Sequence, residues 1–426
     1  MKQSILHFND CYIMDNLSAL YQCSIDNNSF ITFGGDFLGP SFISTFDKGE
    51  HLNTIFNLIG VKLGVLGNHE FDYRIDNLDN IIKKSKIEWL NTNVLLNTNN
   101  KNLLLYKIEV INNIKIGFIG LLNYDISLIK DYHNQNYIYI LPYLESQIKF
   151  YINYLRKEYC EKIIIISHCG IKFDRELANT LDIDCILGGH THIQCDEIIN
   201  NTLVIHSGQD AHQTCLLIPK KEGFEKKWII MKDYKKNEVI ENIINIKKKI
   251  YNDKYNEILC KSDCEVILYD NVIRKEKSKI GSFMCKIIKD NCECDLSMIN
   301  SGSIRGNNLI KKDENITIKT IINIFPFENY LIKCKMKVKY IKELLEYSYN
   351  DIENYNGKFM NIYGVNINDY DDEDYLKIIT LDFLYDGGDG FYHFKKYSVK
   401  MELEPINYQL LMINYLKRSQ MSCLLL

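Results

Sequence analysis

The fold is decided by the stretch Val65–Asp72, VLGNHEFD, in which a short apolar run ends in a cluster of polar residues. Four other apolar runs end in the same way, and they are Ile5–Phe8 before ND, Ile31–Phe33 before GGD, Ile163–Ile166 before SH and Cys185–Leu187 before GGHTH. Apolar runs of this length bounded by glycine predict buried strands. Ligands of open α/β sheets bind at the carboxyl ends of the strands. We therefore expect five segments to bring polar side chains to one edge of a sheet.

The polar residues of these segments suit a pair of divalent cations. Aspartate, asparagine and histidine favour zinc, manganese, iron or magnesium, whereas a soft metal site would need thiolates. Two divalent ions that face only the carboxylates of Asp10 and Asp36 leave about two net positive charges by formal counting. Such a site would attract an anion, and phosphate is the obvious one.

Taken in order, the five segments resemble the motifs of the calcineurin-like metallophosphoesterases, and more closely those of their 5′-nucleotidase branch. The resemblance implies that Asp36 bridges two divalent metal ions, whose identity stays open between Zn, Mn, Mg and Fe. Asp10 and His192 would complete one metal site. The other site would be completed by Asn68, His168 and His190.

The resemblance also places a catalytic dyad after the third strand. His69 would stabilise charge on the transferring phosphoryl group, and Asp72 lies three residues on, close enough to orient the imidazole. Two ions roughly 3.5 to 4 Å apart can lower the pKa of a shared water and hold the phosphoryl oxygens for in-line attack. We expect the metal ions to supply most of the catalysis.

The chain departs from the family pattern at one ligand. The family has Asp-x-His in its first motif, whereas Asp10-Cys11-Tyr12 places a tyrosine at the histidine position. A free tyrosine ionises near pH 10, so Tyr12 would need a metal in order to bind as a phenolate. Three protein ligands and a water still suffice for a catalytic metal. We expect a weaker first metal ion rather than an empty site.

Two further histidines have competing interpretations. His206 follows an apolar run and precedes Ser207-Gly208, so it either lines the site from another strand end or has a structural role. His7 lies inside the first predicted strand, where packing is the favoured interpretation.

Length and composition predict a protein of two domains. The 426 residues exceed the usual size of a single core, and the 46% of hydrophobic residues suffice for two. The segment Lys232–Leu259 carries apolar residues at helical spacing, which predicts an amphipathic connecting helix. The net charge of −4 gives little electrostatic reason to bind polymeric nucleic acid.

The second half contains two loops whose residue types suit a nucleotide. Ser297–Ile299 leads into a small-residue loop that ends at Arg305, and arginine offers a planar fork matched to phosphate. Ile378–Phe383 precedes the glycine-rich stretch 386–391, where glycines permit a tight turn beside an aromatic residue. Neither loop alone identifies a ligand.

Together these loops resemble the C-terminal domain of 5′-nucleotidases. By that resemblance the residues that bind substrate are Arg274, Asn300, Arg305, Phe327, Phe383 and Asp389. The two phenylalanines would stack on the base, an interaction worth on the order of 1 to 3 kcal/mol per base in single-strand binders. The match at Arg274 is looser, because the family glutamate and asparagine that follow it are Lys277 and Lys279 here.

These observations predict an α/β protein, in which a metallophosphoesterase αββα sandwich is joined by a helix to a smaller α/β C-terminal nucleotide-binding domain. We place the catalytic domain at residues 1–231, the linker helix at 232–260, the C-terminal domain at 261–420 and a tail at 421–426. The predicted activity is metal-dependent hydrolysis of nucleoside 5′-monophosphates to nucleoside and phosphate. Two alternatives stay open: a broader hydrolase of nucleotide-sugars, cyclic nucleotides or dinucleotides, and a weakly active nucleotide-binding sensor, because of Tyr12.

Cysteine usage and the chain ends bear on localisation. Fourteen scattered cysteines, together with the lack of a secretory or membrane-spanning run, favour reduced thiols in the cytoplasm. A truncated gene start would instead hide an export signal. The last four residues, Cys423-Leu424-Leu425-Leu426, fit the pattern for a C-terminal prenyl group on Cys423, which would associate the enzyme with membranes. An apolar tail packed on the domain is the alternative.

Overall fold

The computed structural model describes residues 2–39, 41–73, 75–90, 92–96, 103–122, 138–140, 145–306, 308–327, 329–350, 357–403 and 406–419. The chain divides into two compact units, residues 1–249 and 250–426. The division falls inside the segment predicted as a linker. The tail that carries Cys423 lies outside the described residues, so its predicted prenylation stays a prediction.

Strands of two sheets form the centre of the N-terminal unit. The strands described there are β1 Ser4–Phe8, β2 Ser29–Phe33, β3 Val61–Val65, β4 Glu88–Leu90, β5 Val94–Leu96, β6 Leu103–Leu104, β7 Tyr106–Ile111, β8 Ile114–Leu122, β9 Ile138–Ile140, β10 Lys162–His168, β11 Cys185–Gly188, β12 Gln194–Ile199, β13 Thr202–Ser207, β14 Gln213–Pro219 and β15 Phe224–Ile230.

Both large sheets are parallel at their centres and antiparallel at an edge. The first has the order β15-β14-β1-β2-β3-β4-β6 and is parallel from β1 to β6. The second has the order β12-β13-β11-β10-β8-β7 and is parallel from β13 to β8. Parallel strands need crossover connections, and helices supply most of them. The helices that begin in this unit are α1 Leu17–Asp26, α2 Phe42–Asp47, α3 Glu50–Ile59, α4 Ile75–Lys84, α5 Glu145–Lys157, α6 Ile171–Thr180 and α7 Glu238–Tyr255.

Alternating side chains build three apolar layers, which confirms the predicted αββα sandwich. Along β10, Ile164 and Ile166 belong to the core between the two sheets, whereas Ile163 and Ile165 belong to a core under α5 and α6. Successive side chains of a strand point to opposite faces, so an apolar run with no polar break is buried on both sides. A third core packs α1, α3 and α4 against the outer face of the first sheet.

The expectation of one sheet edge is wrong in one respect. Asp10, Asp36 and Asn68 follow β1, β2 and β3 of the first sheet, whereas His168 ends β10 and His190 follows β11 of the second sheet. Apolar runs buried on both faces reveal parallel strands but not their sheet membership. The polar segments therefore meet at an edge shared by two stacked sheets.

The C-terminal unit contains a smaller mixed sheet with the strand order β22-β18-β23-β21-β24 and two short strand pairs, β16-β20 and β17-β19. Its described strands are β16 Ile258–Lys261, β17 Val266–Ile267, β18 Leu296–Asn300, β19 Leu309–Ile310, β20 Asn315–Thr317, β21 Leu331–Lys337, β22 Met360–Gly364, β23 Tyr375–Leu381 and β24 Ser398–Met401. Its described helices are α8 Asp270–Ile273, α9 Lys279–Asn291, α10 Ile318–Ile324, α11 Val338–Tyr349, α12 Asp382–Tyr385, α13 Tyr392–Tyr397 and α14 Tyr408–Ser419. The predicted run Ile378–Phe383 thus divides: the strand ends at Leu381, and Phe383 lies on a short helix.

The predicted connecting helix is α7, which is shorter than the segment from which it was predicted. Ile240 and Ile244 are buried in the core of the N-terminal unit, whereas Val239 and Ile250 are exposed. Of the described helices, none has the length and apolar character needed to cross a membrane. Eleven of the cysteines in the described part of the chain are buried, and their reduced state stays a prediction.

Candidate metal centre

Four predicted metal ligands have a left-handed backbone conformation. The φ angles are 49° at Asp10, 66° at Asp36, 80° at His190 and 55° at His192. Such angles are uncommon for residues other than glycine, and they persist where the surrounding structure holds them, often at functional sites. Each of these residues lies in the turn just after a strand, where the unusual backbone sets the direction of its side chain.

Glu70 connects two loops of the centre, one that carries Asp36 and one that carries Asn68. Its buried carboxylate accepts backbone N–H bonds from Asp36 at 2.9 Å and Phe37 at 2.7 Å, and another from Gly67. Burial and the charge of Asp36 raise the pKa of Glu70 to about 7. Sequence analysis assigned no role to Glu70, although its place in the GNHE motif was the available indication.

Asp36, His168 and His190 form the most compact part of the centre. His168 Nε2 lies 3.0 Å from Asp36 Oδ2, and one donor atom from each of the three residues lies within 4.8 Å of the other two. His190 Nδ1 lies 3.0 Å from Asn68 Oδ1. The structure therefore brings together the four residues that the resemblance assigns to one metal site, while their role as ligands stays a prediction.

The surroundings of His168 fit a cation. Its Nδ1 lies 2.6 Å from the carbonyl oxygen of Gly34, which can only accept, so Nδ1 carries a proton and Nε2 is the ring nitrogen that a cation would bind. Among the described residues, this buried Nε2 has no partner with hydrogen-bond geometry. Metal-binding histidines are commonly oriented by a carbonyl in this way. The residues present thus suit the divalent metal ions that a metallophosphoesterase needs.

Asp10 and His192 meet on the other side of Asp36. His192 Nε2 lies 3.1 Å from Asp10 Oδ1, while Asp10 Oδ2 accepts the backbone N–H of His190 at 2.8 Å and the side-chain amide of Asn9 at 2.7 Å. Tyr12 reaches the same place, and burial together with the charges of Asp36 and Asp10 raises the pKa of its hydroxyl. Asp10 and His192 lie outside the compact trio, so this side is the looser one.

The predicted dyad is formed. His69 Nδ1 lies 2.6 Å from Asp72 Oδ2, and the backbone N–H of His69 donates to Asp36 Oδ1 at 2.9 Å. Although burial lowers the pKa of His69, the hydrogen bond to Asp72 and the charge of Asp36 raise it overall. The imidazole is a quarter exposed, so a ligand at the centre could reach its remaining nitrogen.

His206 and His7 have structural roles. His206 is buried with its Nε2 atom 2.8 Å from Asp174, whose other oxygen accepts the hydroxyl of Ser167 at 2.5 Å. This buried trio ties α6 and β13 to the residue before His168. A side chain at Gly188 would collide with His206, so glycine is required there. His7 is buried as expected, with Nδ1 3.0 Å from the hydroxyl of Thr32.

The C-terminal unit gathers three predicted substrate residues around one loop. Asn300 donates to Asp389 Oδ2 at 2.7 Å and to the carbonyl of Gly357 at 3.3 Å. A Cβ at Gly357, where φ is 79°, would lie 2.6 Å from Arg274 Nη1. Burial and the charge of Arg274 lower the pKa of Arg305, and Arg274 Nε lies 3.2 Å from Asp270 Oδ1.

The two predicted stacking rings have different neighbours. The guanidinium of Arg305 lies 4.8 Å from the ring centre of Phe327, whereas the ring of Phe383 lies against Gly388. A Cβ at Gly388 would come within 2.5 Å of that ring, so the glycine leaves room for it. Phe327 is 42% exposed and Phe383 45% exposed. Each ring is therefore covered in part by a neighbour and exposed in part to solvent.

Comparison with known proteins agrees with this arrangement. Residues 4–194 match the family model of calcineurin-like phosphoesterases, and residues 264–396 match that of the 5′-nucleotidase C-terminal domain. A 5′-nucleotidase precursor of Thermus thermophilus shares the fold with a TM-score of 0.63 at 18% identity, covering 99% of this chain and 97% of that one. The NAD nucleotidase of Haemophilus influenzae has a TM-score of 0.59 at 18% identity, with coverage of 99% and 97%.

Curated relatives are distant and longer. A cell wall protein of Listeria monocytogenes is 24% identical over 92% of this chain and 60% of its own length. A trifunctional nucleotide phosphoesterase of Bacillus subtilis is 26% identical over 60% of this chain and 20% of its own length. The chain thus spans 60% or less of these relatives. From its two matched domains and its fold, the chain belongs to the 5′-nucleotidase family of metallophosphoesterases, a family of hydrolases that combines a calcineurin-like domain with a 5′-nucleotidase C-terminal domain.

Proposed function

We propose that this protein hydrolyses nucleoside 5′-monophosphates to nucleoside and phosphate, using two divalent cations at the edge shared by its two sheets. The observation that carries the proposal is the convergence of polar side chains from five strand ends beside the His69–Asp72 dyad. The converging residues are Asp10, Asp36, Asn68, His168, His190 and His192. A pair of divalent ions there would activate water and hold the phosphoryl oxygens.

The chain's own residues supply the other functions of the site. His69, oriented by Asp72, is placed to donate to a phosphoryl oxygen as charge develops on it. The oxygen of water bonds to phosphorus, the bond between phosphorus and the 5′ oxygen breaks, and the nucleoside leaves with a proton taken from water. Arg274 and Arg305 are a cationic pair suited to an anionic substrate group. Phe327 and Phe383 present exposed rings to a base without reading its edge closely.

A phosphate-release panel tests the proposal. The purified protein is assayed with nucleoside mono-, di- and triphosphates, nucleotide-sugars and cyclic nucleotides, each with Zn²⁺, Mn²⁺ and Mg²⁺. We expect the highest kcat/KM with a nucleoside 5′-monophosphate, and loss of activity in Asp36→Asn, which controls for contaminating phosphatase. Equal rates on a small aryl phosphate would contradict nucleotide selectivity.

Two alternatives have their own support. Relatives described as a nucleotide phosphoesterase, a 2′,3′-cyclic-nucleotide 2′-phosphodiesterase/3′-nucleotidase and an NAD 5′-nucleotidase favour a broader nucleotide hydrolase. Higher kcat/KM for cyclic nucleotides or dinucleotides would select it. The tyrosine among the metal residues favours a sensor instead. One metal per chain and tight nucleotide binding, without phosphate release, would select the sensor.

A further inference from the structure

Tyr12 occupies an unusual position for a tyrosine side chain. Its hydroxyl oxygen lies 3.1 Å from His192 Nε2, 3.3 Å from Asp36 Oδ2 and 3.4 Å from Asp10 Oδ1. These are donor atoms of three different predicted metal ligands, from loops after three different strands. The residue therefore belongs to the centre itself and not to its periphery.

The position of Tyr12 is held from two sides. Its backbone N–H donates to Asp210 Oδ1 at 2.8 Å, and the backbone N–H of Asp210 donates to the carbonyl of Asp10 at 2.7 Å. The ring lies edge-on to the ring of His69, with centres 6.1 Å apart, and beside that of His192, with centres 5.7 Å apart. The hydroxyl is thus directed at the ligand atoms by the backbone and by neighbouring rings.

The single proton of the Tyr12 phenol cannot serve both carboxylates that approach it. The phenol has one proton and can donate it to one acceptor at a time. Two carboxylate oxygens nevertheless approach the phenol oxygen to within 3.4 Å. One of these two carboxylate oxygens therefore faces a lone pair of the phenol oxygen, and that contact is repulsive unless a cation lies between the two atoms. A cation among them supplies the missing positive charge.

The spacing matches the edges of a coordination polyhedron. A cation bound at about 2.0 to 2.2 Å holds adjacent ligand atoms about 3.0 Å apart at right angles and about 3.4 Å apart at tetrahedral angles. The three distances from the phenol oxygen, and the 3.1 Å between His192 Nε2 and Asp10 Oδ1, all fall in this range. The 3.0 Å between His168 Nε2 and Asp36 Oδ2 also falls in this range.

We propose that Tyr12 is a metal ligand that stands in for the histidine of the family pattern, completing a cation site with Asp10, Asp36 and His192. On binding, the phenol O–H bond breaks, the oxygen bonds to the divalent cation, and the proton leaves to solvent; no group is oxidised or reduced. The site then has three oxygens and one nitrogen, whereas the site of Asn68, His168 and His190 is richer in nitrogen. The inference rests on the metal centre of the proposed function and specifies its composition.

Metal titration of four proteins tests this assignment without using hydrolysis. Metal-free wild type, Tyr12→Phe, Tyr12→His and the control Tyr234→Phe are titrated with Zn²⁺ alone by calorimetry, while ultraviolet difference absorption follows tyrosinate. Tyr234 is a matched control because its hydroxyl also donates to a carboxylate, that of Asp26, at 3.0 Å. Circular dichroism of each metal-free protein checks folding.

We expect two Zn²⁺ ions and one equivalent of tyrosinate in wild type and in Tyr234→Phe. In Tyr12→Phe one ion should bind at least roughly tenfold more weakly, since even outer-shell changes reach this scale, and the tyrosinate signal should vanish. Tyr12→His should retain two ions without the signal, at equal or roughly tenfold higher affinity.

Equal or tighter binding by Tyr12→Phe would overturn the assignment, because the hydroxyl would then obstruct the cation. Two ions in wild type without tyrosinate would also overturn it. A Tyr12-dependent second ion in a protein that releases no phosphate from any nucleotide would support the ligand while rejecting the proposed function. The experiment therefore distinguishes failure of the Tyr12 assignment from failure of the proposed nucleotide hydrolysis.

Discussion

The candidate metal centre and the candidate nucleoside loops are built in opposite ways. Asp10, Asp36 and His168 are almost entirely buried, and each makes polar contacts with another strand end. Phe327 and Phe383 are nearly half exposed, on a loop and a short helix. Electrostatic stabilisation of a developing charge is stronger where water is excluded and where the hydrogen-bond donors are already in position. A stacking platform needs only an open ring face, so it can stay on the surface.

This comparison predicts that damage to the buried centre affects every phosphate ester, whereas damage to the exposed loops affects nucleotides alone. Two substrates separate these outcomes: a nucleoside 5′-monophosphate and a small aryl phosphate that lacks a base. Five substitutions at the two sites test the distinction, and they are taken from the largest expected effect to the smallest.

Asp36→Asn should have the largest effect, lowering kcat more than a hundredfold on both substrates, beyond the scale of outer-shell changes. Asp36 lies next to His168 and Tyr12 and receives the His69 N–H, so its charge serves the whole centre. Steady-state kinetics with saturating metal measures the loss. Asp26→Asn, at the last residue of α1, should leave activity unchanged. Retention of a tenth of the wild-type kcat would contradict a central role for Asp36.

His69→Asn should lower kcat on both substrates by roughly a hundredfold, at the low end of the range for a positioned proton donor. Asp72→Asn should lower kcat less, because the His69 imidazole stays in place and loses only the carboxylate that lies 2.6 Å from its Nδ1 atom. Zinc stoichiometry should stay unchanged in both variants. Loss of a metal ion from His69→Asn would show that it acts as a ligand.

Phe383→Ala should raise KM for the nucleotide by roughly tenfold to a hundredfold while sparing the aryl phosphate, because only the base loses its platform. Tyr375→Ala is the matched control, since Tyr375 is an exposed aromatic at the start of β23 whereas Phe383 lies just past its end. An equal rise in KM for the nucleotide and for the aryl phosphate would contradict stacking of the base on Phe383.

Asp389→Asn should have the smallest effect, raising KM for the nucleotide by about tenfold, because a hydrogen bond to a charged group contributes about 1.5 kcal/mol at the low end of its range. Asp389 holds Asn300 at 2.7 Å beside Gly302 and Gly357. Asp369→Asn is the control, because Asp369 accepts a comparable bond from Asn366 at 2.9 Å. A change in kcat on the aryl phosphate would place Asp389 in a different role.

Much of this site was predictable because its residues occupy fixed positions relative to strand ends. His69 and Asp72 lie within one turn of each other, so their contact follows from local geometry. Other features depend on distant segments. Glu70 accepts N–H groups from a loop more than 30 residues away, and Asp210 holds Tyr12 from about 200 residues away. No local pattern reports such contacts.

By itself, the sequence determined an α/β class and the loops that carry polar residues, because strand runs and their polar ends are local patterns. The αββα arrangement and the departure at Tyr12 followed from the resemblance to the metallophosphoesterases. Only the tertiary structure decided that two sheets share the site, that His206 pairs with Asp174, and that the Tyr12 hydroxyl lies among three ligand atoms. The reason is physical: sheet pairing and packing join segments far apart in the chain, and a side chain's partners depend on which loops meet there.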